Sequence, residues 1–356
     1  MKYYTLKNIL KKEAQYNLII GERSNGKTYA ILKYGLEQYV KTGGQLAILR
    51  RWREDIIGKR AQSIFSALVA NGEIAKITNG EYDNIYYNSG RYYLCYYEDG
   101  KAIHEDEPFA FVFALSDMEH NKSNSYPKIT NILFDEFITK FVYLKDEFIL
   151  FMNSLSTIIR DRDNVKIFMC GNTVNKHNPY FQEMGLTNAL KMEQGTIDIY
   201  TYGNSNLRVA IEYCSNNFIK KSNVYFAFDN PKLQMITTGK WEFDIYPHIE
   251  VKYNKSDIVY IYFIEFNNNL YQCEIVSKDS DYFTYIHRKT SELQKGNNLV
   301  YTLDKNSENI YNVSYINKPF NKLTKKIWNM FALNKVFYQD NEVGHDISNY
   351  IKMCRG

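Results

Sequence analysis

The stretch Gly21-Glu22-Arg23-Ser24-Asn25-Gly26-Lys27-Thr28 has the spacing Gly-x-x-x-x-Gly-Lys-Thr. That spacing suits a phosphate cradle. Backbone N–H groups of residues 22–27 can turn inward around a β-phosphate, and the N-terminus of a following helix adds partial positive charge. Lys27 would reach the β- and γ-phosphates of ATP, and Thr28 would offer its hydroxyl to Mg²⁺. Arg23, inside the loop, is placed to help in cis, and Gly21, Ser24, Asn25 and Gly26 complete the cradle. The bland alternative is a surface glycine turn that caps a helix.

A second stretch decides between them. Ile132-Leu133-Phe134-Asp135-Glu136 is an apolar run that ends in two carboxylates. In open parallel sheets ligands bind at the carboxyl ends of the strands. Asp135 would hold Mg²⁺ through water, and Glu136 would activate the attacking water. Neighbouring strand residues point to opposite faces, so both acids serve one site only if the strand stops there. The Asp-Glu pair favours hydrolysis over kinase chemistry. Gly171-Asn172-Thr173 follows another apolar run, and Asn172 can sense the γ-phosphate or hold the water. An Asn at a strand end is commonly a turn former, but its place after the Asp-Glu run favours the sensor.

Two charged stretches complete the candidate chemistry. Arg160-Asp161-Arg162-Asp163 reads either as a solvated turn or as an arginine finger aimed at a neighbour's nucleotide. His120-Asn121-Lys122-Ser123-Asn124 can supply a second trans-acting cation through Lys122. Asn175-Lys176-His177-Asn178 mimics a guanine-specificity motif but lacks its acid, which argues against a GTPase.

These groups need a scaffold. Asn17 to Ile20 reads as a short buried strand, and Thr28 to Val40 has helical apolar spacing. Leu46 to Leu49, Ile132 to Phe134 and Val165 to Cys170 read as strands. Arg53 to Ala70 and Glu147 to Ile159 read as helices. Gly72 to Leu115 carries short aromatic runs broken by Asn, Ser and Gly, the pattern of hairpins at a sheet edge. Strands alternating with helices predict a mainly parallel α/β sheet over 1–202. Residues 203–245 read as a linker or lid. Residues 246–356 read as a smaller α+β domain, with strands at Ile258 to Phe266, Leu270 to Val276 and Tyr282 to Ile286 and a helix near Lys322 to Leu333.

The 356 residues suffice for two cores. A net charge of +4 permits nucleic-acid contact without arguing for it. The five cysteines form no CxxC pair, which suggests neither a zinc site nor a disulfide framework. Met1-Lys2-Tyr3-Tyr4 carries no apolar signal core, and no run approaches the roughly 20 apolar residues of a membrane span. The expectation is a cytoplasmic protein without a membrane partner. The 32 tyrosines, with abundant Asn, Ile and Lys, fit an AT-rich genome better than base stacking.

Together "LIIGERSNGKTYA", "LAILRRW", "KSNSYPKITNILFDEF", "IIRDRDNVKIF" and "GNTVNKHNPYF" resemble the DNA-encapsidation ATPases of small podophages, the phi-twenty-nine-like packaging motors. The resemblance runs in order over most of residues 15–185. It implies a P-loop NTPase of the additional-strand class and a vestigial ribonuclease-H-like second domain. It implies a ring homo-oligomer, a pentamer, that works in the host cytoplasm and docks on the portal vertex of an empty capsid. There it would pump double-stranded DNA inward; in some members a packaging RNA helps attach the motor. By the same resemblance Lys27, Asp135, Glu136 and Asn172 keep the roles read above. Arg160 and Lys122 match trans-acting cations, and Arg162 matches a nearby arginine.

Two other functions compete. A terminase-like enzyme would cut DNA with acids that hold two metals about 4 Å apart. Glu265, Glu274, Asp340, Glu342 and Asp346 are the available acids, and no Asp sits within the first strand of the second domain. A slow nucleotide-dependent switch or docking protein would show no DNA-stimulated turnover.

Overall fold

The computed structural model describes residues 3–121, 125–139, 143–174, 178–203, 206–215, 246–249, 251–266, 269–278, 281–290, 298–303, 312–313 and 315–354. The chain divides into two compact units, Met1–Glu242 and Phe243–Gly356.

In the first unit ten strands form one sheet. They are β1 (Tyr16–Gly21), β2 (Gln45–Arg50), β3 (Asn84–Asn88), β4 (Arg91–Glu98), β5 (Lys101–His104), β6 (Ala110–Ala114), β7 (Ile129–Asp135), β8 (Lys166–Asn172), β9 (Thr196–Tyr202) and β10 (Leu207–Tyr213). The order is β3-β4-β6-β2-β7-β8-β1-β10-β9, with β5 paired to β4. The run from β6 to β10 is parallel throughout. The loop strand β1 and the acid strand β7 are not neighbours, because β8 stands between them. That interposed strand defines the additional-strand P-loop class, as the family resemblance implied.

Strands buried on both faces read as continuous apolar runs, and alternate residues feed two cores. Leu18, Ile20, Ala47, Leu49, Ile132 and Phe134 face one core with Phe151, Leu155 and Ile158 of the helix Glu147–Ile159. Ile19, Leu46, Ile48, Leu133 and Phe168 face the other, with Ile31, Leu32 and Leu36 of the helix Lys27–Thr42. The two helices clamp opposite faces of the same central strands.

Several expectations need correction. Arg53 to Ala70 is not one helix but a 3-10 turn (Arg53–Asp55) and two short helices (Gly58–Gln62, Ser66–Ala70). Gly58 takes φ +56°, and the Ser63 and Ser66 hydroxyls donate to the Arg60 and Ser63 carbonyls, which draws the backbone into turns. The edge hairpins are present as β3, β4 and β5, but Ala110–Ala114 is a parallel strand beside β2. The boundary after residue 202 falls too early. Strand β10 pairs in parallel with β1 from Tyr16↔Val209 to Ile20↔Tyr213, so the first unit needs it. The linker or lid reading of 203–245 falls largely outside the described residues, which omit 204–205 and 216–245.

The second unit holds β11 (Ile258–Phe266), β12 (Asn269–Lys278), β13 (Asp281–Arg288), β14 (Val300–Thr302), β15 (Asn312–Val313) and β16 (Val336–Tyr338). Their order is β15-β14-β11-β12-β13-β16. β11, β12 and β13 are antiparallel, and β14 and β15 run parallel to β11. Counted within the unit the order is 3-2-1-4-5, the ribonuclease-H-like arrangement, with β16 added beside β13. The helices Lys322–Ala332 and Asn341–Met353 contribute Ile327, Val343, Ile347 and Tyr350 to its core. Among the strand acids, Glu274 accepts from Tyr253 (2.6 Å) and Gln272 (2.7 Å) and lies 3.3 Å from His287.

Candidate active site

The parallel register brings four strand ends to one edge. Gly21 of β1 lies beside Asn172 of β8, and Asp135 of β7 beside Cys170. β2 ends at Arg50, one residue past the pair Leu49↔Phe134. The loop after β1 passes through Ser24 at φ +60° and Gly26 at φ +92° before the helix begins at Lys27. Gly26 occupies the left-handed region at the helix N-cap, where a side chain would be strained and would press on the Tyr3 ring at 3.4 Å. Gly21 is constrained twice: its φ is +155°, and a Cβ there would lie 2.9 Å from the Cys214 Cβ.

Lys27 is buried at 6% exposure, and its ammonium donates to the Glu22 carbonyl (2.6 Å), Asn25 Oδ1 (3.1 Å) and Asn172 Oδ1 (3.3 Å). Burial pulls its pKa below the ordinary lysine value, while Cys214, Cys170, Asp135 and Glu22 push the other way. Its three hydrogen-bond acceptors are neutral, so the buried charge is under-compensated at contact range and suits an anionic ligand. The Thr28 hydroxyl donates to Asp135 Oδ1 at 2.8 Å. A hydroxyl and a carboxylate at that separation form the hard oxygen set that Mg²⁺ takes. The Cys170 thiol also donates to Asp135 Oδ1 (2.8 Å), and burial, then the Asp135 charge, pushes its pKa well up, so it stays a neutral donor.

The strand does stop between the two acids. Asp135 is the last residue of β7, and Glu136 takes φ +60°. The kink lets both carboxylates meet one cation. Arg50 lies 2.8 Å from Asp135 Oδ2 and 3.1 Å from Glu136 Oε2. Its guanidinium offsets the repulsion between adjacent carboxylates. Asp135 is buried, whereas the Glu136 side chain is 64% exposed and able to meet a ligand. Behind the kink, a Cβ on Gly171 would lie 3.0 Å from Ile138 and 3.1 Å from Phe137, so glycine lets that segment pack closely against β8.

The structure therefore brings together Lys27, Thr28, Asp135, Glu136 and Asn172. Arg23 and Ser24 are exposed on the loop. Lys122 lies outside the described residues. Asn178 of the guanine-motif mimic caps a helix by accepting from the Phe181 N–H at 3.0 Å. Arg160 and Arg162 sit elsewhere. They precede β8, whose six residue steps from Lys166 to Asn172 span about 20 Å, so they lie at the opposite edge of the sheet from the loop. Arg160 is exposed and ends its helix at φ +53°, ψ −126°, a strained setting for a non-glycine residue. Arg162 is turned inward. Its guanidinium donates to the carbonyls of Tyr126, Pro127, Ile129, Ile158 and Ile159, so it anchors the turn to the start of β7 and does not project from it. A cleft of about 950 Å³ also lies at that far edge, lined by Tyr39, Glu105, Lys128 and Lys166; the candidate phosphate loop is at the other edge.

Sequence reasoning missed Arg50, Cys170 and the Arg51–Glu147 pair described below. The only trace of the arginines was the pair that closes the apolar run Leu46 to Leu49.

Comparison with known proteins meets this geometry. The model of the podovirus DNA encapsidation protein (Gp16) family matches residues 1–200. The chain belongs to that family. The DNA packaging protein of Bacillus phage B103 is 31% identical over 173 residues, 48% of this chain and 48% of the relative. That of Bacillus phage phi29 is 28% identical over 186 residues, 50% of this chain and 49% of the relative. The chain spans about half the length of the curated relatives it matches. Among solved structures, the bacteriophage Phi-29 viral genome packaging motor assembly is 19% identical with a TM-score of 0.58, covering 99% of this chain and 100% of that one. The Phi-28 gp11 DNA packaging motor is 17% identical with a TM-score of 0.54, covering 99% and 98%. At these identities the likeness concerns the fold, and it extends over both units of this Gp16-family chain. No helix among the described residues is long and apolar enough to cross a membrane.

Proposed function

We propose that this chain is the ATP-hydrolysing subunit of a motor that moves double-stranded viral DNA into an empty capsid. The observation that carries the reading is the convergence of Lys27, Thr28, Asp135, Glu136 and Asn172 at the carboxyl ends of β1, β7 and β8. Membership in the DNA encapsidation family supports the DNA and the capsid as partners.

Lys27 binds the β- and γ-phosphates, exchanging neutral acceptors for anionic ones. Thr28 and Asp135 would hold Mg²⁺, which when bound would neutralise phosphate charge. Glu136 takes a proton from the attacking water at its exposed carboxylate, and Asn172, hydrogen-bonded to Lys27, orients that water or reads the γ-phosphate. Arg23 helps in cis. Arg160 and Lys122 serve a neighbouring subunit in a ring, a pentamer by the family resemblance, seated on the portal vertex, where a packaging RNA is a further partner in some members. Arg162 holds the turn that carries Arg160. The second unit is read as a ribonuclease-H-like fold without nuclease activity; the hydrogen bonds that occupy Glu274 support this.

The test is ATP turnover of the purified chain with and without double-stranded DNA. Turnover rises severalfold with DNA, and the DNA remains uncut in Mg²⁺. Turnover indifferent to DNA would favour a docking switch, and Mg²⁺-dependent cutting that Glu265→Ala abolishes would favour a terminase.

A further inference from the structure

Arg51 is an arginine buried beneath the site, with its side chain 6% exposed. It follows Arg50 at the end of β2, and neighbouring residues there face opposite sides. Arg50 therefore meets the acids, while Arg51 enters the core against the Phe134 and Tyr143 rings. Its Nε and Nη2 donate to the two oxygens of Glu147 at 2.8 and 2.9 Å. Glu147 is wholly buried and accepts two more bonds, from the Tyr180 hydroxyl (2.6 Å) and the Leu144 N–H (2.8 Å). The remaining Arg51 bonds go to two successive carbonyls, Glu136 (3.1 Å) and Phe137 (2.8 Å).

Those last two bonds are diagnostic. In an extended strand successive carbonyls point to opposite sides, so one guanidinium cannot hold both. It does so here because Glu136 sits at φ +60°. The guanidinium thus grips the kink that swings the Glu136 carboxylate to the same side as Asp135. Only the planar fork of arginine serves Glu147 and two carbonyls at once. Stability alone does not account for such a pair, since apolar residues of similar volume are often as stabilising as a buried ion pair.

We propose that Arg51, oriented by Glu147 and Tyr180, is a positioning residue that fixes the direction of Glu136. The proposal rests on Glu136 being the base that activates water. Arg51 touches no substrate and acts through the backbone of residues 136 and 137.

The paired variant Arg51→Met/Glu147→Leu removes both charges together and leaves neither one buried alone. Its kcat for ATP falls about 100-fold, the loss that a displacement near an ångström produces. KM and nucleotide affinity stay near those of the parent chain, because Lys27 and Thr28 are untouched. Arg51→Lys keeps the charge but loses the fork, and it shows the same split between kcat and KM. Where the paired variant does not fold, Arg51→Lys decides on the same readouts. A folded variant with parental kcat overturns the proposal, as does a kcat loss matched by an equal loss of nucleotide affinity. Glu136→Gln is run alongside: if it retains turnover, the base assignment fails, independently of the clamp.

Discussion

Lys27→Ala and Glu136→Gln both abolish ATP turnover, but only Lys27→Ala also abolishes nucleotide binding. Lys27 is the buried cation of the loop, held by Glu22, Asn25 and Asn172. Without it the phosphates lose their main counter-charge. Glu136 stands apart from the loop, on its own kinked backbone, with an exposed carboxylate. Its amide replacement cannot accept the proton of the attacking water, a loss of roughly 10²–10⁴ in rate for a general base. The phosphate contacts remain, so nucleotide stays bound. Fluorescent-nucleotide titration beside steady-state turnover separates the two variants. Equal loss of affinity in both would contradict these roles.

Arg160→Ala leaves nucleotide binding nearly normal and removes turnover, and mixing it with Glu136→Gln subunits restores part of the activity. Arg160 ends the helix Glu147–Ile159 at the sheet edge opposite its own loop, about 20 Å away. It cannot serve its own phosphates from there. A neighbour's guanidinium on the transferring phosphoryl group is worth roughly 10³–10⁵ in rate in arginine-finger systems. In the proposed ring, such mixtures would contain interfaces with an intact Glu136 on one side and an intact Arg160 on the other. Assembled mixtures that stay inactive at every ratio would contradict the trans assignment and turn attention to Lys122. Arg162 is the weaker alternative, because five carbonyls of its own chain already occupy it.

The parts of this site that were legible in sequence share a cause. Each candidate residue follows directly on an apolar run, as Gly21 follows Ile20, Asp135 follows Phe134 and Asn172 follows Cys170 and Gly171. The parallel register then brings the strand ends together without further instruction. What was missed depends on contacts between distant positions. Arg51 and Glu147 are 96 residues apart, and nothing local marks them as partners. β10 carries an alternating pattern in Leu207–Tyr213, but only its pairing with β1, far upstream, makes it part of the first unit. Glu136 raised the question of how adjacent acids face one site, and the answer, a left-handed residue, has no signature in a glutamate. Arg53 to Ala70 failed differently: the apolar spacing of Ala61, Phe65 and Leu68 fits a helix, but Gly58 and the serines interrupt its backbone.

The most direct measurement is ATP-dependent protection of double-stranded DNA from added nuclease in the presence of empty capsids and this chain. DNA becomes protected only with hydrolysable ATP and Mg²⁺, and neither the Glu136→Gln nor the Lys27→Ala chain protects any. Protection that persists with Glu136→Gln, or with a non-hydrolysable nucleotide, would contradict the proposed function, because DNA entry would then not depend on the hydrolysis that these residues are proposed to perform.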